Sequence, residues 1–327
     1  MTKAAFRPGH DSGASEVLTE RPIVPADVTA IVLTFNEEIN VGHCLASLAG
    51  LCEAIFVVDS GSTDGTLAIV RQYADRVLTH AFEGFTQQWE WALRNLPIAT
   101  EWVLALDADL MLSEQAKREI YRIAARREGA QTTGHGVNGY CFTHKVLFRG
   151  KPVRGFKTSV VHLFRGARVS LDRGEEHQRF VVEGGVAMLR KGVIVEYNRK
   201  DDDLDFWIDK HQHYAVRLAR EEVLRSEGHW RTEVRPSLFG DPTARVMWLK
   251  HLWFRLPLYV RPLLYFFYRY IIRLGALDGK EGFIFHFLQA LWFRMIIDIR
   301  VDELRRNLRS GSLSMQQLAD AFNPSPE

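Results

Sequence analysis

From Val28 onward, short β-branched runs alternate with segments whose apolar residues recur at helical spacing. VTAIVLTF leads into EEINVGHCLASLAG, AIFVVDS into TDGTLAIVRQYA, RVLTH into FTQQWEWALRNL, and EWVLALDADL into SEQAKREIYRIAARRE. Each pair predicts a strand followed by a helix, and the first helix closes on a glycine, as helices commonly do. Four such units in succession predict an α/β fold, a mostly parallel open sheet with helices on both faces. Ligands of such sheets bind beyond the carboxyl ends of the strands. The polar residues that close each apolar run are therefore the first place to look for chemistry.

The pattern changes after the fourth unit. Between Gly134 and Val195 short strand-like pieces are separated by Gly and charged turns, which predicts a second lobe laid against the first sheet. A long helix is expected from Leu204 to about Ser226, then a linker with two prolines. The expected division is a loose lead over 1–27, a first half over 28–133, a second lobe with its helix over 134–227, a linker over 228–242, a helical region over 243–309 and a tail over 310–327.

That helical region is unusual. Arg245, Lys250, Arg255, Arg261, Arg269 and Arg273 lie between Asp241 and Asp278 with no acid among them, interleaved with aromatic and aliphatic residues. At 100° per residue Arg255, Arg261, Arg269 and Arg273 fall within about a third of the helix circumference, and Pro257 and Pro262 predict a break. A basic stripe opposite an aromatic face suits a helix lying in a membrane interface, where anionic headgroups meet the arginines. The alternative is a cap packed on the core with snorkelling arginines. No run of about 18 uncharged apolar residues occurs, so a simple membrane-spanning helix is not expected.

Totals change the picture less. Forty-two Lys and Arg against 40 Asp and Glu give +2, which does not point to nucleic acid. Cys44, Cys52 and Cys141 show no paired spacing and read as reduced thiols. The first residues lack the apolar core of a secretory signal, so a cytoplasmic setting is expected.

The first strand end carries Thr34, Asn36 and Glu37, and the second carries Asp59 and Asp64 around small residues. A strand-end carboxylate suits ribose hydroxyls, and SGST lets backbone amides approach a ligand. Asp64 reads as a helix cap, and capping is also open to Glu37. The fourth end carries Asp107 and Asp109, which in extended chain point the same way. Two carboxylates with phosphate oxygens make a hard site suited to Mg2+ or Mn2+.

IVLTFNEEINVGHCLASL, IFVVDSGSTDGTLAIV, FTQQWEWALRN and WVLALDADLML together resemble the family 2 inverting glycosyltransferases of the GT-A fold, over about 28–195. The tail RPLLYFFYRYIIRLGALDGKEGFIFHFLQALWFR is similar to that of bacterial enzymes of lipopolysaccharide core or exopolysaccharide synthesis. The resemblance implies that residues 28–133 bind a nucleotide sugar, with Thr34, Asn36, Glu37 and Asp59 at the nucleotide and Asp107 and Asp109 at the metal and diphosphate of the DXD motif. Uridine is the usual base of the family. Where many relatives carry a basic residue and an asparagine, this chain has QQWEW, so Gln87 or Gln88 is the candidate for a sugar hydroxyl. Inverting transfer also needs a base for the acceptor hydroxyl. The candidates are Glu175 or Glu176, with His177 to orient the base or bind phosphate. His211 and His213, two apart on a helix, do not share a face and are expected on a partly exposed surface.

The expected partners are a nucleotide-sugar donor, a saccharide or lipid-linked saccharide acceptor and an anionic membrane surface, with the enzyme peripheral on the cytoplasmic face of the inner membrane. Rival readings are a polyprenyl-phosphate sugar synthase, a nucleotidyltransferase and a membrane-associated scaffold without turnover. The lack of a Gly-rich, Lys/Arg-bearing triphosphate loop opposes the second, and the intact acidic pair opposes the third.

Overall fold

The computed structural model describes residues 25–125, 136–171, 180–228, 236–240 and 242–320. The first half follows the alternation read above: β1 (Ala26–Thr34), α1 (Val41–Leu48), β2 (Cys52–Asp59), α2 (Thr66–Val70), β3 (Arg76–Thr79), α3 (Phe85–Asn95), β4 (Trp102–Asp107), β5 (Leu110–Leu112) and α4 (Glu114–Ala125). The strand order 3-2-1-4 is parallel throughout and puts β1 in the centre. Central parallel strands are buried on both faces, which explains why β1 and β4 read as nearly continuous apolar runs. Alternation still sorts their side chains. Val28, Ala30 and Val32 join the core under α1 and α4, while Ile31 and Leu33 join the opposite core with Trp89 of α3. Helix α1 presents Val41, Cys44, Leu45 and Leu48, a single buried face. Cys44, Cys52 and Cys141 are all buried and form no disulfide among the described residues.

The second lobe turns the sheet antiparallel. Its strands are β6 (Val137–Phe148), β7 (Lys151–Pro152), β8 (Ser159–Arg165), β9 (Val169–Leu171), β10 (Phe180–Val182), β11 (Gly185–Met188) and β12 (Ile194–Glu196). Strand β8 pairs antiparallel with both β4 and β6, β12 runs parallel to β6, and β5 closes antiparallel on β12. The expectation of a mostly parallel sheet thus holds for the first half and yields to mixed pairing in the second. The return of β5 onto β12 sets the acidic turn after β4 beside the second lobe.

Helices cover the far end. They are α5 (Leu204–Ser226), α6 (Pro242–Arg255), α7 (Val260–Phe267) with a π-helical extension Tyr268–Ile272, α8 (Gly279–His286), a π-helical turn Phe287–Trp292, α9 (Phe293–Ser310) and α10 (Met315–Asp320). The break expected near Pro257 and Pro262 lies between α6 and α7, where Tyr259 takes φ 66°. Trp207, Ala215, Val223, Phe293, Ile297, Val301 and Leu318 knit α5, α9 and α10 together. Gly275–Ser310 is a continuous 36-residue helical stretch that includes an 18-residue window of mean hydropathy 1.4, long and apolar enough to cross a membrane by length and composition alone, with 39% of that window buried in the protein. This qualifies the expectation drawn from uncharged runs, because a few charges within the stretch do not prevent it.

The basic stripe needs correction. Arg261 and Arg269 are each 1% exposed and point into the helical layer. Arg261 donates Nε to Asp298 Oδ1 at 2.8 Å and Nη2 to both oxygens of Glu222 at 2.8 and 2.9 Å. It cross-links α7 to α5 and α9. Arg255 and Arg273 are exposed as expected, but most of what α7 and its extension show to solvent is apolar: Leu263, Leu264, Phe267, Ile271 and Ile272 are exposed, and Leu274, Leu277, Phe283 and Phe287 continue the same kind of surface.

Candidate active site

Parallel register levels the strand ends. Thr34 lies opposite Asp59, Leu33 opposite Asp107, and Asp59 opposite Thr79, so the chain leaves these strands along one edge of the sheet. The two loops at the β1 and β2 ends are tied to each other. Asn36 donates its backbone N–H to Ser62 Oγ at 2.8 Å and accepts from the Thr63 N–H at 2.8 Å. Glu37 donates N–H to Thr66 Oγ1 at 2.7 Å, and Glu38 Oε2 accepts from the Gly65 N–H at 2.8 Å. Asn36 holds φ 51°, a left-handed conformation asparagine tolerates. Asp64 stands one residue before Gly65, the N-cap of α2, and accepts from the Thr66 N–H at 3.0 Å, a local bond just outside the capping position expected of it.

The side chains at these loops divide. Asp59 is fully buried, and its carboxylate accepts from the N–H groups of Gly61 and Ser62 at 2.9 and 2.8 Å and from Ser62 Oγ at 2.5 Å. It shapes the glycine loop and does not present a bare carboxylate at the loop surface. Glu37 accepts from Asn40 Nδ2 at 2.7 Å and from Lys200 Nζ at 2.5 Å. Thr34 Oγ1 is buried with no hydrogen-bond partner among the described residues. Gln88 corrects its expected role. It is buried, its Oε1 meets His80 Nδ1 at 2.8 Å, and its amide donates to Ser60 Oγ and His80 O. Both donors are used in bracing the end of β3, which removes Gln88 from reach of a sugar hydroxyl.

Asp107 and Asp109 do not sit in extended chain as expected. Asp107 ends β4, and Ala108 with Asp109 forms a turn before β5. Both aspartates nevertheless line one pocket of about 360 Å³ together with His144, His162, Glu196, Asn198, Asp201, Lys210, His211 and Tyr214. Burial, then the charges of Glu196, Asp107 and Glu37, hold Asp109 well above the usual carboxylate range, with Lys210 opposing. Desolvation and like charge both disfavour its ionised form. Among the described residues no group of three or more His, Cys, Asp or Glu is arranged to hold a metal alone. The donor set fits a hard divalent cation that brings further oxygen ligands with it.

The second lobe supplies a chain of hydrogen bonds that the sequence did not reveal. His162 Nδ1 lies 2.6 Å from the Ala105 carbonyl, His162 Nε2 lies 2.8 Å from His144 Nε2, and His144 Nδ1 lies 2.8 Å from Glu196 Oε2. A carbonyl only accepts, so His162 carries its proton on Nδ1. Burial and His144 push His162 down to about 3, which keeps it neutral with a bare Nε2. His144 therefore donates through Nε2 and turns its Nδ1 to Glu196. Lys210 pairs with Asp201 at 2.5 Å. Burial alone would lower Lys210, but Asp201 outweighs it and the amine is raised. His211 departs from the exposed position expected of it: it is buried, stacks on Trp207 at 3.6 Å and is pushed down to about 3 by burial, whereas His213 is exposed. Glu175, Glu176 and His177 lie outside the described residues.

Residues 29–197 match the model of Glycosyl transferase family 2. Lipopolysaccharide core biosynthesis glycosyltransferase LpsC of Rhizobium meliloti is 27% identical over 208 residues, covering 60% of this chain and 72% of that protein. An uncharacterized glycosyltransferase of Rickettsia felis is 33% identical over 98 residues, 30% of this chain and 34% of that protein, so the chain spans about a third of that relative. Among solved structures, S. aureus TarS 1–349 aligns over 87% of this chain and 91% of its own at 16% identity and a TM-score of 0.35. Glucosyl-3-phosphoglycerate synthase from Mycobacterium tuberculosis, in complex with Mn2+, UDP and phosphoglyceric acid, aligns over 68% and 91% at 17% identity and 0.38. TM-scores of this size carry no argument about the site. The family match spans more than half of the chain and shows the family. With these strand ends and this sheet, the chain belongs to glycosyl transferase family 2 and is a glycosyltransferase of the GT-A fold.

Proposed function

We propose that this glycosyltransferase is metal-dependent and inverting, and passes a sugar from a nucleoside-diphosphate sugar, with UDP as the carrier, to a hydroxyl of a lipid-linked or lipopolysaccharide/exopolysaccharide acceptor. The observation that carries the reading is Asp109, half-buried beside Asp107 and facing the charge of Glu196, which leaves an acidic pocket in want of a cation. Asp107 and Asp109 would hold Mg2+ or Mn2+. Such an ion, when bound, neutralises charge that develops on a departing diphosphate. The tied loops carrying Thr34, Asn36 and Glu37 form the nucleotide rim, and Asp59 keeps the Gly61–Ser62 turn in shape for it. Thr34 Oγ1 is the one buried hydroxyl of that rim left to meet a ligand among the described residues. Glu175 or Glu176, with His177 beside it, takes the proton of the acceptor hydroxyl. The acceptor class is supported by the lipopolysaccharide-core role in the name of the Rhizobium relative.

Calorimetry with UDP tests the donor side. Binding heat is expected with Mn2+ and a loss of about tenfold or more in affinity with EDTA, the scale of a metal contact to diphosphate. Equal binding under both conditions would remove the metal from the reading.

The membrane belongs to the same proposal, at the cytoplasmic face of the inner membrane, but the contact rests on apolar residues instead of the buried arginines. Leu263, Phe267 and Ile271 share one exposed face of α7 and its extension. Changing these three to Ser is expected to weaken vesicle flotation about 100-fold, since each large side chain leaving water contributes about 1.5–3 kcal/mol when fully buried. A parent protein that fails to float with vesicles would assign the face to something other than lipid.

A further inference from the structure

Two arginines of equal burial stand eight residues apart on the same helix and its extension, and only one is neutralised. Arg261 meets Glu222 and Asp298. Arg269, also 1% exposed, forms no ion pair among the described residues, and its Nε and Nη2 have no hydrogen-bond partner there. Its Nη1 donates to Gln289 Oε1. The guanidinium lies 4.4 Å from the ring centre of Phe156 and 5.3 Å from those of Phe285 and Tyr265. Phe156 and Phe285 meet its charge through their faces and offer no acceptor, and the Tyr265 hydroxyl, which favours the charged form, is a neutral partner that cannot balance the charge. The Arg294 guanidinium lies 5.8 Å from the ring centre of Tyr265, and its buried Nε is likewise without a partner among the described residues. A buried charge without a counter-ion is a standing cost to the fold. Burial, with Arg294 adding repulsion, pushes Arg269 down to about 10.

The position is informative. Arg269 and Gln289 each sit in a π-helical turn, a distortion that recurs at functional sites. Gln289, Phe285 and Phe156 line the acidic pocket, so the guanidinium lies one side chain behind its wall. On the same helical stretch Phe283 and Phe287 are exposed, part of the apolar surface. An anion held here would lie between the reaction pocket and a greasy face, as the phosphate of an amphiphile does.

We propose that Arg269, with Arg294, is an anion site that takes the phosphoryl group of a lipid-linked acceptor, phosphate oxygens replacing the amide oxygen of Gln289. The proposal rests on the lipid-linked acceptor reading for the source of the phosphate, and on the unsatisfied guanidinium for the site itself.

Thermal unfolding of the full chain with farnesyl phosphate, farnesol and inorganic phosphate tests it. Farnesyl phosphate is expected to raise the melting temperature by a few degrees in a saturable way, at concentrations where farnesol and inorganic phosphate do not. Arg269→Gln is expected to lose at least about tenfold in apparent affinity for farnesyl phosphate, to melt no lower than the parent without probe, and to bind UDP with Mn2+ unchanged. Gln289→Ala, which removes the competing amide oxygen, is expected to bind farnesyl phosphate several-fold more tightly. An equal response to inorganic phosphate would overturn the lipid source. No response to either phosphate in a parent that binds UDP would overturn the anion site and leave the transferase reading standing. A fall of more than about 5 °C for Arg269→Gln would make the guanidinium a structural group and overturn the proposal.

Discussion

Asp109→Asn is expected to lower sugar transfer by roughly 1000-fold, the scale on which charge stabilisation at a departing group is lost, while raising the melting temperature of the metal-free protein. Both effects have one cause. In the folded chain Asp109 is disfavoured as an anion by burial and by Glu196, Asp107 and Glu37. Its folded pKa lies above the ordinary aspartate value of 3.8, so the native state holds the extra proton and stability falls as pH rises from that value through the raised one. An amide in the same place has no such slope. Melts of the parent and the variant at pH 5 and pH 7.5 in EDTA should therefore diverge at the higher pH, by about 2–4 °C for about 1 kcal/mol. Steady-state transfer with Mn2+ should show the loss. A variant that keeps metal-dependent turnover, or melts well below the parent at neutral pH, would separate Asp109 from the metal. Stability given up at a charged site in exchange for chemistry is the general pattern such a result would join.

Arg261→Met carries the largest expected loss of stability. The guanidinium joins Glu222 of α5 and Asp298 of α9 to α7, and Asp298 also accepts from the Tyr259 N–H at 2.8 Å where the chain enters α7. Burial alone would lower the arginine, but its hydrogen bonds to Asp298 and Glu222 outweigh it and raise it. Removing it leaves two buried carboxylates facing each other, which costs about 3–5 kcal/mol and corresponds to roughly 6–15 °C in a chain of this size. Replacing all three residues by apolar ones of similar volume should recover much of the loss, because the desolvation of the charges disappears with them. Differential scanning calorimetry decides it. A single variant melting within about 2 °C of the parent would mean that the triad does not hold the helices together.

The strand ends were legible because their signal is local. A β-branched run closing on a polar residue needs no knowledge of the rest of the chain, and Thr34, Asp59 and Asp107 fall at the ends of β1, β2 and β4 as read. The break between α6 and α7 was legible for the same reason, since proline acts on its own backbone. What each side chain does there depended on partners far away. Asp59 is taken up by its own loop, and Gln88 by Ser60 and His80. The arginine arithmetic gave a common side for Arg261 and Arg269 but not which side was inward, which is set by Glu222 and Asp298, 39 and 37 residues from Arg261. The His162–His144–Glu196 chain joins β8, β6 and β12, a register no periodicity announces. His211 was misplaced because its helix packs against α9, where Phe293 meets the ring, and pairing histidines by spacing says nothing about cover.

The hydrogen bonds between the β1 and β2 loops bear on how a ligand at this edge of the sheet would be received. Asn36, Glu37 and Glu38 are fastened to Ser62, Thr63, Asp64, Gly65 and Thr66, and Lys200 reaches across from the second lobe to Glu37 and to the Asn36 carbonyl. Loops held this way have lost their freedom before any ligand arrives, so ordering them would subtract little from an affinity. The Glu37–Lys200 pair also connects the two lobes across the sheet. A pull on the β1 loop therefore loads residues 198–200 directly, through Lys200 at Glu37 and through Asn40 at Asn198 and Arg199.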